Sequence, residues 1–474
     1  MSPGSAAGAI RFGVDGWRGT IGVEFTWERV ASVTNAIALY LQDRGLAARG
    51  VVVAHDCRQY SQEYATDAAA VLAGLGIPAF LGTGPMPTPV AAFAVRHKKA
   101  AGALMITASH NPPDFNGIKF IPDYGGPAPA AVTDAIQYRA NARGPARRVP
   151  KTAASPAKIS SLDPSCDYLA HVRGLLDLGG WAKPPTIVVD VMHGAGGDYP
   201  KRLLSQAKCR VELLHAVPDP LFGGCSPDPT ERNLEALKAR VHKTGATLGA
   251  GLDGDGDRLA LVDAGGQYYD ANRTLPLLYR YLLEGRGWRG GVARSLVTTR
   301  MLDRIARKHG QKVYQTAVGF KHIGPLLAIG EAIFGGEESG GMSVCGHVPE
   351  KDGILGAALA VEMVAKWGKD LAAIECELHK DFGRLVSKRR DCPCPPDQRD
   401  AAIEKLHGQW DSIAGRIPAS VNHDDGFQAT FADDSWCAAR LSGTGQPLLR
   451  LYAEAAGAGA VDALIDDMAR RFGL

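Results

Sequence analysis

The chain has no apolar run of the roughly 18 residues that a membrane-spanning helix needs, so no bilayer span is expected. It has no surplus of either charge: 53 basic and 50 acidic side chains give a formal net charge of +3 over 474 residues. Such a balance offers no bulk field for nucleic acid or an anionic membrane, and any anion must be held by local basic clusters. It also has no cysteine framework. Nine cysteines are scattered in odd number, and only Cys392 and Cys394 are close, which excludes a disulfide scaffold and lacks the paired C-x-x-C of a zinc site. The first residues, MSPGSAAGAIRFGVDG, carry no basic-then-apolar leader pattern, so a reducing cytoplasmic setting is expected. No period of the kind seen in solenoids or propellers is present.

What is there is ordinary globular composition, 45% hydrophobic and 22% charged, in a chain too long for one core. Short β-branched runs alternate with helical patterns. Strands are expected at 51–54, 103–107, 186–190, 258–262 and 332–334, with helices at 62–73 and 199–205. That alternation predicts α/β layers with mostly parallel sheets. Two Pro-rich, basic stretches, 141–164 and 389–396, read as linkers, and a softer boundary falls near 264–266. The resulting segments are 1–155, 156–264, 265–385 and 386–474, each with one polar, glycine-bearing loop. Loops from separate domains can converge on one cleft.

The first loop, Thr107-Ala108-Ser109-His110-Asn111-Pro112, follows a buried strand, where open α/β sheets place ligand groups. It has no G-x-S-x-G elbow, which removes the hydrolase reading. The second, Asp253-Gly254-Asp255-Gly256-Asp257-Arg258, lets three carboxylates turn toward one point, where a hard cation such as Mg²⁺ or Ca²⁺ would relieve their repulsion. Arg258 and Ala264 occupy positions where an EF-hand needs glycine and glutamate. The third, Gly335 to Gly341, offers Glu337, Glu338 and Ser339 for hydrogen bonds to hydroxyls. The fourth, Arg440-Leu441-Ser442-Gly443-Thr444-Gly445 with Arg450, combines hydroxyls, glycines and guanidinium groups suited to phosphate, without the ending of a P-loop. The loop Gly194-Ala195-Gly196-Gly197 does not fit a dinucleotide fingerprint, because Tyr199 takes the last glycine's place.

In this order, these loops resemble those of the α-D-phosphohexomutase superfamily, which includes phosphoglucomutases, phosphomannomutases and phosphoglucosamine mutases. The resemblance runs from Phe12-Gly13-Val14-Asp15-Gly16 to Arg450-Leu451-Tyr452. It implies a four-domain architecture around a central cleft: three related α/β domains with mixed sheets and a smaller C-terminal α+β domain. By the same resemblance, Ser109 would carry the phosphoryl group and, with Asp253, Asp255 and Asp257, hold Mg²⁺. Lys119, His110, Arg18 and Arg258 would assist catalysis. Gly319, Lys321, Glu337 and Ser339 would bind sugar, while Arg294, Arg440, Ser442, Gly443, Thr444 and Arg450 would bind phosphate.

Arg294-Ser295 with Thr298-Thr299, the segment Val318-Gly319-Phe320-Lys321 and Glu338 look like the phosphoglucomutase branch. Val14, where Thr is more usual, and Gly341, where many relatives have His, depart from the pattern. The resemblance implies interconversion of glucose 1-phosphate and glucose 6-phosphate, with glucose 1,6-bisphosphate as intermediate and activator. A phosphomannomutase, a dual-specificity enzyme or a glucose 1,6-bisphosphate synthase would use the same site. Hexose monophosphates are the expected partners, with neither nucleic acid nor membrane. Monomer and homodimer are both open.

Overall fold

The computed structural model describes residues 8–142, 158–181, 183–442 and 448–474. Four sheets follow one another along the described chain. In the first, spatial order runs Trp17–Thr20, Phe115–Pro122, Gly102–Ile106, Val51–His55, Ala79–Gly82, Ile159–Leu162. Its last four strands are parallel and the first two antiparallel to their neighbours. Val51, Val52 and Val53 are buried on both faces, which is why that run lacks alternation.

The second sheet is ordered Tyr268–Tyr269, Leu259–Asp263, Leu248–Leu252, Thr186–Asp190, Arg210–Leu214, and the third Val313–Thr316, Gly291–Ser295, Ala332–Gly336, Met342–Val344. Both mix parallel and antiparallel pairs, so the expectation of mostly parallel sheets gives way to mixed ones. The fourth is wholly antiparallel: Val386–Pro393, Leu448–Ala455, Trp436–Leu441, Phe427–Thr430, Ser420–Asn422.

Three expectations about boundaries change. Residues 159–162 lie in the stretch read as a linker, yet they form the edge strand of the first sheet; 143–157 fall outside the described residues. The run 389–396 is mostly strand, because Val386–Pro393 pairs along its length with Leu448–Ala455. Its charged residues face solvent while Cys392 and Cys394 point inward, the usual protection of a sheet edge. Ala264, Gly265 and Gly266 turn a hairpin between two strands of the second sheet. All nine cysteines are free.

One apolar core runs through the first three units, joining Val52 and Met105 to Ile187 and Val189 and on to Val292 and Phe334. The fourth unit has its own, built from Phe427, Leu449, Leu451, Leu464 and Met468. It meets the third through a small apolar patch of Leu296, Val297, Trp436, Ala438 and Tyr452. Polar seals flank that patch, including Gln428 Nε2 donating to the Leu296 carbonyl at 2.6 Å and the Arg300 N–H donating to Glu454 Oε1 at 2.8 Å.

Candidate active site

The strand Gly102–Ile106 delivers Thr107 to Asn111 into the cleft. Ser109 is held at φ +53°, a left-handed conformation that costs a non-glycine residue energy and needs outside support. Two residues not anticipated from the sequence supply it. The Arg58 guanidinium, buried, donates to the carbonyls of Ser109, Asn111 and Pro112, each at 2.6 Å, and of Phe115 at 2.9 Å. Its partner Asp56 accepts the Thr107 hydroxyl at 2.6 Å, and Thr107 Oγ1 accepts the Ser109 N–H at 2.8 Å. The hydroxyl of Ser109 is thereby aimed across the domain boundary, donating to Asp253 Oδ2 at 2.8 Å.

The triple-aspartate loop is fully buried. Asp253 Oδ1 accepts the backbone N–H groups of Asp257 and Arg258, closing the loop on itself. Thr88, at the start of the helix Thr88–Lys98, donates its hydroxyl to Asp255 Oδ2 at 2.5 Å, so a helix N-terminus faces the carboxylate. The 194–197 glycine loop is a brace: Ala195 N–H donates to the Gly254 carbonyl, and a Cβ at Gly194 would lie 2.7 Å from that oxygen.

Asp253, Asp255 and Asp257 each place an oxygen within 4.8 Å of the others. Asp255 Oδ1 and Asp257 Oδ1 are buried without a hydrogen-bond partner among the described residues. All-oxygen donors with two unpartnered atoms suit a hard divalent cation. Burial, reinforced by Asp255 and Asp257, pushes Asp253 well above the usual carboxylate range, which a bound cation would reverse.

Two lysines offset the cluster. Lys119 Nζ lies 2.8 Å from both Asp255 Oδ2 and Asp257 Oδ2 and 3.0 Å from Asp15. Lys351 Nζ lies 3.0 Å from Asp15 and 3.1 Å from Asp257. Although burial opposes it, these acids raise both ammonium groups, so each stays charged. Lys351, Glu350 and Asp15 were not singled out from the sequence. The signal was available in Glu350-Lys351-Asp352-Gly353, a charged run directly before an apolar helix and entirely buried. Gly341 has its reason here. A Cβ at that position would stand 2.3 Å from Lys351 Cδ, so the lysine fills the space a side chain at 341 would need.

His110 is half-buried, and its Nδ1 finds no partner among the described residues. Burial and then Arg258, Arg18, Arg450 and Arg58 hold its imidazole well below the ordinary histidine range, hence neutral. Arg18 donates to Asn111 Oδ1 at 2.6 Å, and Arg258 faces Asp228 at 3.7 Å and Asp253 at 3.9 Å.

The sugar-loop residues also converge. Glu337 Oε1 accepts the Gly319 N–H at 2.7 Å, and Ser339 lines the same cleft as Asp15, Lys351, Arg440 and Arg450. Lys321 is half-buried in the helix that follows Gly319. Arg440 and Arg450 sit opposite each other on paired strands, and the Nε of each is buried without a hydrogen-bond partner among the described residues, although that of Arg450 lies 3.8 Å from Asp391 Oδ1. Ser442 is buried beside them; Gly443 and Thr444 lie outside the described residues. Arg294 is a correction. Its guanidinium is 1% exposed and locked to both oxygens of Asp303 at 2.6 Å, leaving no face for a ligand phosphate.

Comparison with known proteins places this geometry. The chain matches the profiles of Phosphoglucomutase/phosphomannomutase alpha/beta/alpha domain I over residues 9–146, domain II over 147–266 and domain III over 270–382. A phosphoglucomutase/phosphomannomutase of Thermococcus kodakarensis is 30% identical over 450 residues, 94% of each chain. The chain belongs to the α-D-phosphohexomutase superfamily.

A Methanothermobacter thermautotrophicus protein, assigned provisionally as a phosphoglucosamine mutase, is 31% identical over 445 residues, 94% of this chain and 93% of the relative. Among solved structures, a Thermus thermophilus protein, assigned provisionally as a phosphomannomutase, superposes with a TM-score of 0.84 at 33% identity, covering 98% of this chain and 99% of the other. This phosphohexomutase is therefore an enzyme, with three mixed-sheet units followed by an antiparallel-sheet domain.

One expected outcome concerns the phosphohexomutase without ligand. Burial, and then the neighbouring Glu338, push Glu337 up to about 7 from an ordinary 4.5. A raised acid binds its proton more tightly when folded. The associated stability is complete below the unfolded value and is lost as pH rises through the folded one. Glu337→Gln should match the parent at pH 5 and exceed it at pH 8, by roughly 3 kcal/mol at most. Urea midpoints at the two pH values check this; parallel curves would remove Glu337 as the source.

Proposed function

We propose that this phosphohexomutase is a phosphoglucomutase, which interconverts glucose 1-phosphate and glucose 6-phosphate through a phosphorylated Ser109. The observation that carries the reading is the Ser109 hydroxyl 2.8 Å from Asp253, beside two unpartnered aspartate oxygens and two buried lysines. Phosphoryl transfer needs positioning and charge compensation more than covalent chemistry, and this is what these groups provide.

The sugar hydroxyl attacks phosphoserine 109; the new P–O bond forms as the bond to Ser109 Oγ breaks. The hydroxyl's proton passes to the departing serine oxygen by way of His110 and Lys119, the acid/base groups that the resemblance implies. Arg18 and Arg258 face the transferring group. A Mg²⁺ held by Asp253, Asp255, Asp257 and the Ser109 phosphate would neutralise charge on the phosphoryl oxygens. Arg440, Ser442 and Arg450, with Gly443 and Thr444 by resemblance, hold the other phosphate, while Glu337, Ser339 and Lys321 take the sugar hydroxyls. The bisphosphate then turns over and returns its second phosphate to Ser109.

Glucose is favoured by Glu338 beside Glu337 and by the segment 318–321, both of which resemble the phosphoglucomutase branch. Nine free cysteines fit a reducing cytoplasmic setting. No described helix is long and apolar enough to cross a membrane. The test is isomerisation of glucose 1-phosphate with Mg²⁺ and a trace of glucose 1,6-bisphosphate, with mannose and glucosamine 1-phosphates alongside. Glucose should lead in kcat/KM by about tenfold or more. A faster mannose or glucosamine substrate would overturn the sugar assignment. Bisphosphate synthesis without isomerisation would replace the reaction itself.

A further inference from the structure

The arginine given above to the non-reacting phosphate is already engaged on one edge. Arg440 is 4% exposed, and its Nη2 lies 3.1–3.2 Å from both oxygens of Asp425. Its Nε is buried without a hydrogen-bond partner among the described residues, while Nε of Arg450 opposite lies 3.8 Å from Asp391 Oδ1.

Asp425 belongs to the turn between the strands Ser420–Asn422 and Phe427–Thr430. The next residue fixes that turn. Gly426 has φ +90°, and a Cβ there would meet the Ala439 carbonyl at 2.5 Å and Arg440 Cβ at 3.0 Å. The turn therefore rests on the backbone of the arginine it serves.

Asp425 also reaches out of its own unit. Its Oδ2 accepts the N–H of Val318 at 2.9 Å, in the third unit. The next N–H along, that of Gly319, donates to Glu337 Oε1 at 2.7 Å. One carboxylate thus links a phosphate-facing guanidinium to the backbone that carries the sugar-facing glutamate. Neither half of the link is a loose surface pair, since Arg440 is buried and Val318 contributes a main-chain donor.

We propose that Asp425 is a positioning residue that couples capture of an anion at Arg440 to the ordering of the sugar segment 318–321. The proposal rests on the phosphohexomutase reading of the cleft. Asp425 fixes the guanidinium through Nη2 and leaves its Nε edge without a hydrogen bond, so a phosphate meets a preoriented donor. An anion drawing on that edge moves Arg440, Asp425 and the Val318 backbone together, because charge-assisted hydrogen bonds connect them. Loss of the carboxylate separates the two events: phosphate still finds arginine, but the sugar segment no longer follows.

The experiment compares Asp425→Ala and Asp425→Asn with the parent, after circular dichroism and melting show that each is folded. Asp425→Asn keeps an acceptor for Val318 and removes the charge facing Arg440, so it should fall between the other two. In Asp425→Ala, KM for glucose 1-phosphate should rise about tenfold while kcat at saturation stays within about threefold. Hydrogen exchange supplies a readout independent of turnover. Glucose 6-phosphate should slow exchange across 316–322 in the parent by about fivefold or more, and not in Asp425→Ala.

A KM within about twofold of the parent, or ligand protection of 316–322 that survives in Asp425→Ala, overturns the coupling. If the parent binds no hexose phosphate, the reading of the cleft has failed instead. Inorganic phosphate is then the probe in the same exchange experiment, and slowing in the parent that Asp425→Ala lacks still upholds the coupling. No slowing with either probe overturns it.

Discussion

Ser109→Ala is expected to lose about four orders of magnitude or more in kcat while remaining folded, because no other group can carry the phosphoryl between the two half-reactions. The structural cost is small by comparison. The substitution removes the hydrogen bond to Asp253 Oδ2, worth about 1–2 kcal/mol, and leaves the left-handed backbone at φ +53° in place. Ser109→Gly separates the two effects. It is equally inactive but relieves the backbone strain, recovering about 1 kcal/mol. Intact mass after incubation with glucose 1,6-bisphosphate should show a phosphate adduct on the parent and on neither variant. Turnover by Ser109→Ala above about 1% of the parent would exclude Ser109 as the carrier.

Lys119→Met should be the most damaging single change for stability and should cost much of the activity as well. Its ammonium touches half-buried Asp15 and fully buried Asp255 and Asp257, and removing it leaves these carboxylates short of one countercharge. Breaking such a pair on one side costs about 3–5 kcal/mol, more than the pair itself contributes. Arginine should not rescue it, since a planar fork cannot take the place of a compact ammonium among three carboxylates. Activity should fall by about two to four orders of magnitude through loss of the proton donor. Because a divalent cation can replace part of the missing charge, millimolar Mg²⁺ should restore stability to the variant more than to the parent. Urea midpoints in chelator and in Mg²⁺ measure this, and a variant as stable as the parent in chelator would refute the charge-balance account.

The loops that carry chemistry were legible because each combines glycine with one kind of polar group at the end of an apolar strand. Ser109, Asp253 and Glu337 could be placed at strand ends on that pattern alone. The supporting charges were not legible. Asp56 and Arg58 look like solvent-facing residues in a sequence, and only the fold reveals that they are buried against one another. Arg294 failed in the opposite direction. Its motif suggested a ligand contact, but a helix beginning at Met301 brings Asp303 back to consume both edges of the guanidinium. The run Arg389-Arg390-Asp391-Cys392-Pro393 read as a linker for a related reason: an edge strand with charges outward has the composition of a loop.

The separate core of the fourth unit means that stability is not one number for this chain. The first three sheets share continuous apolar packing and must give way together, whereas the last is joined through five apolar residues and a few polar seals. A cell's quality-control machinery would therefore meet two different clients in one polypeptide. One is a large body that either holds or collapses. The other is a C-terminal module that can open, expose Trp436 and Tyr452, and reclose while Ser109 stays protected.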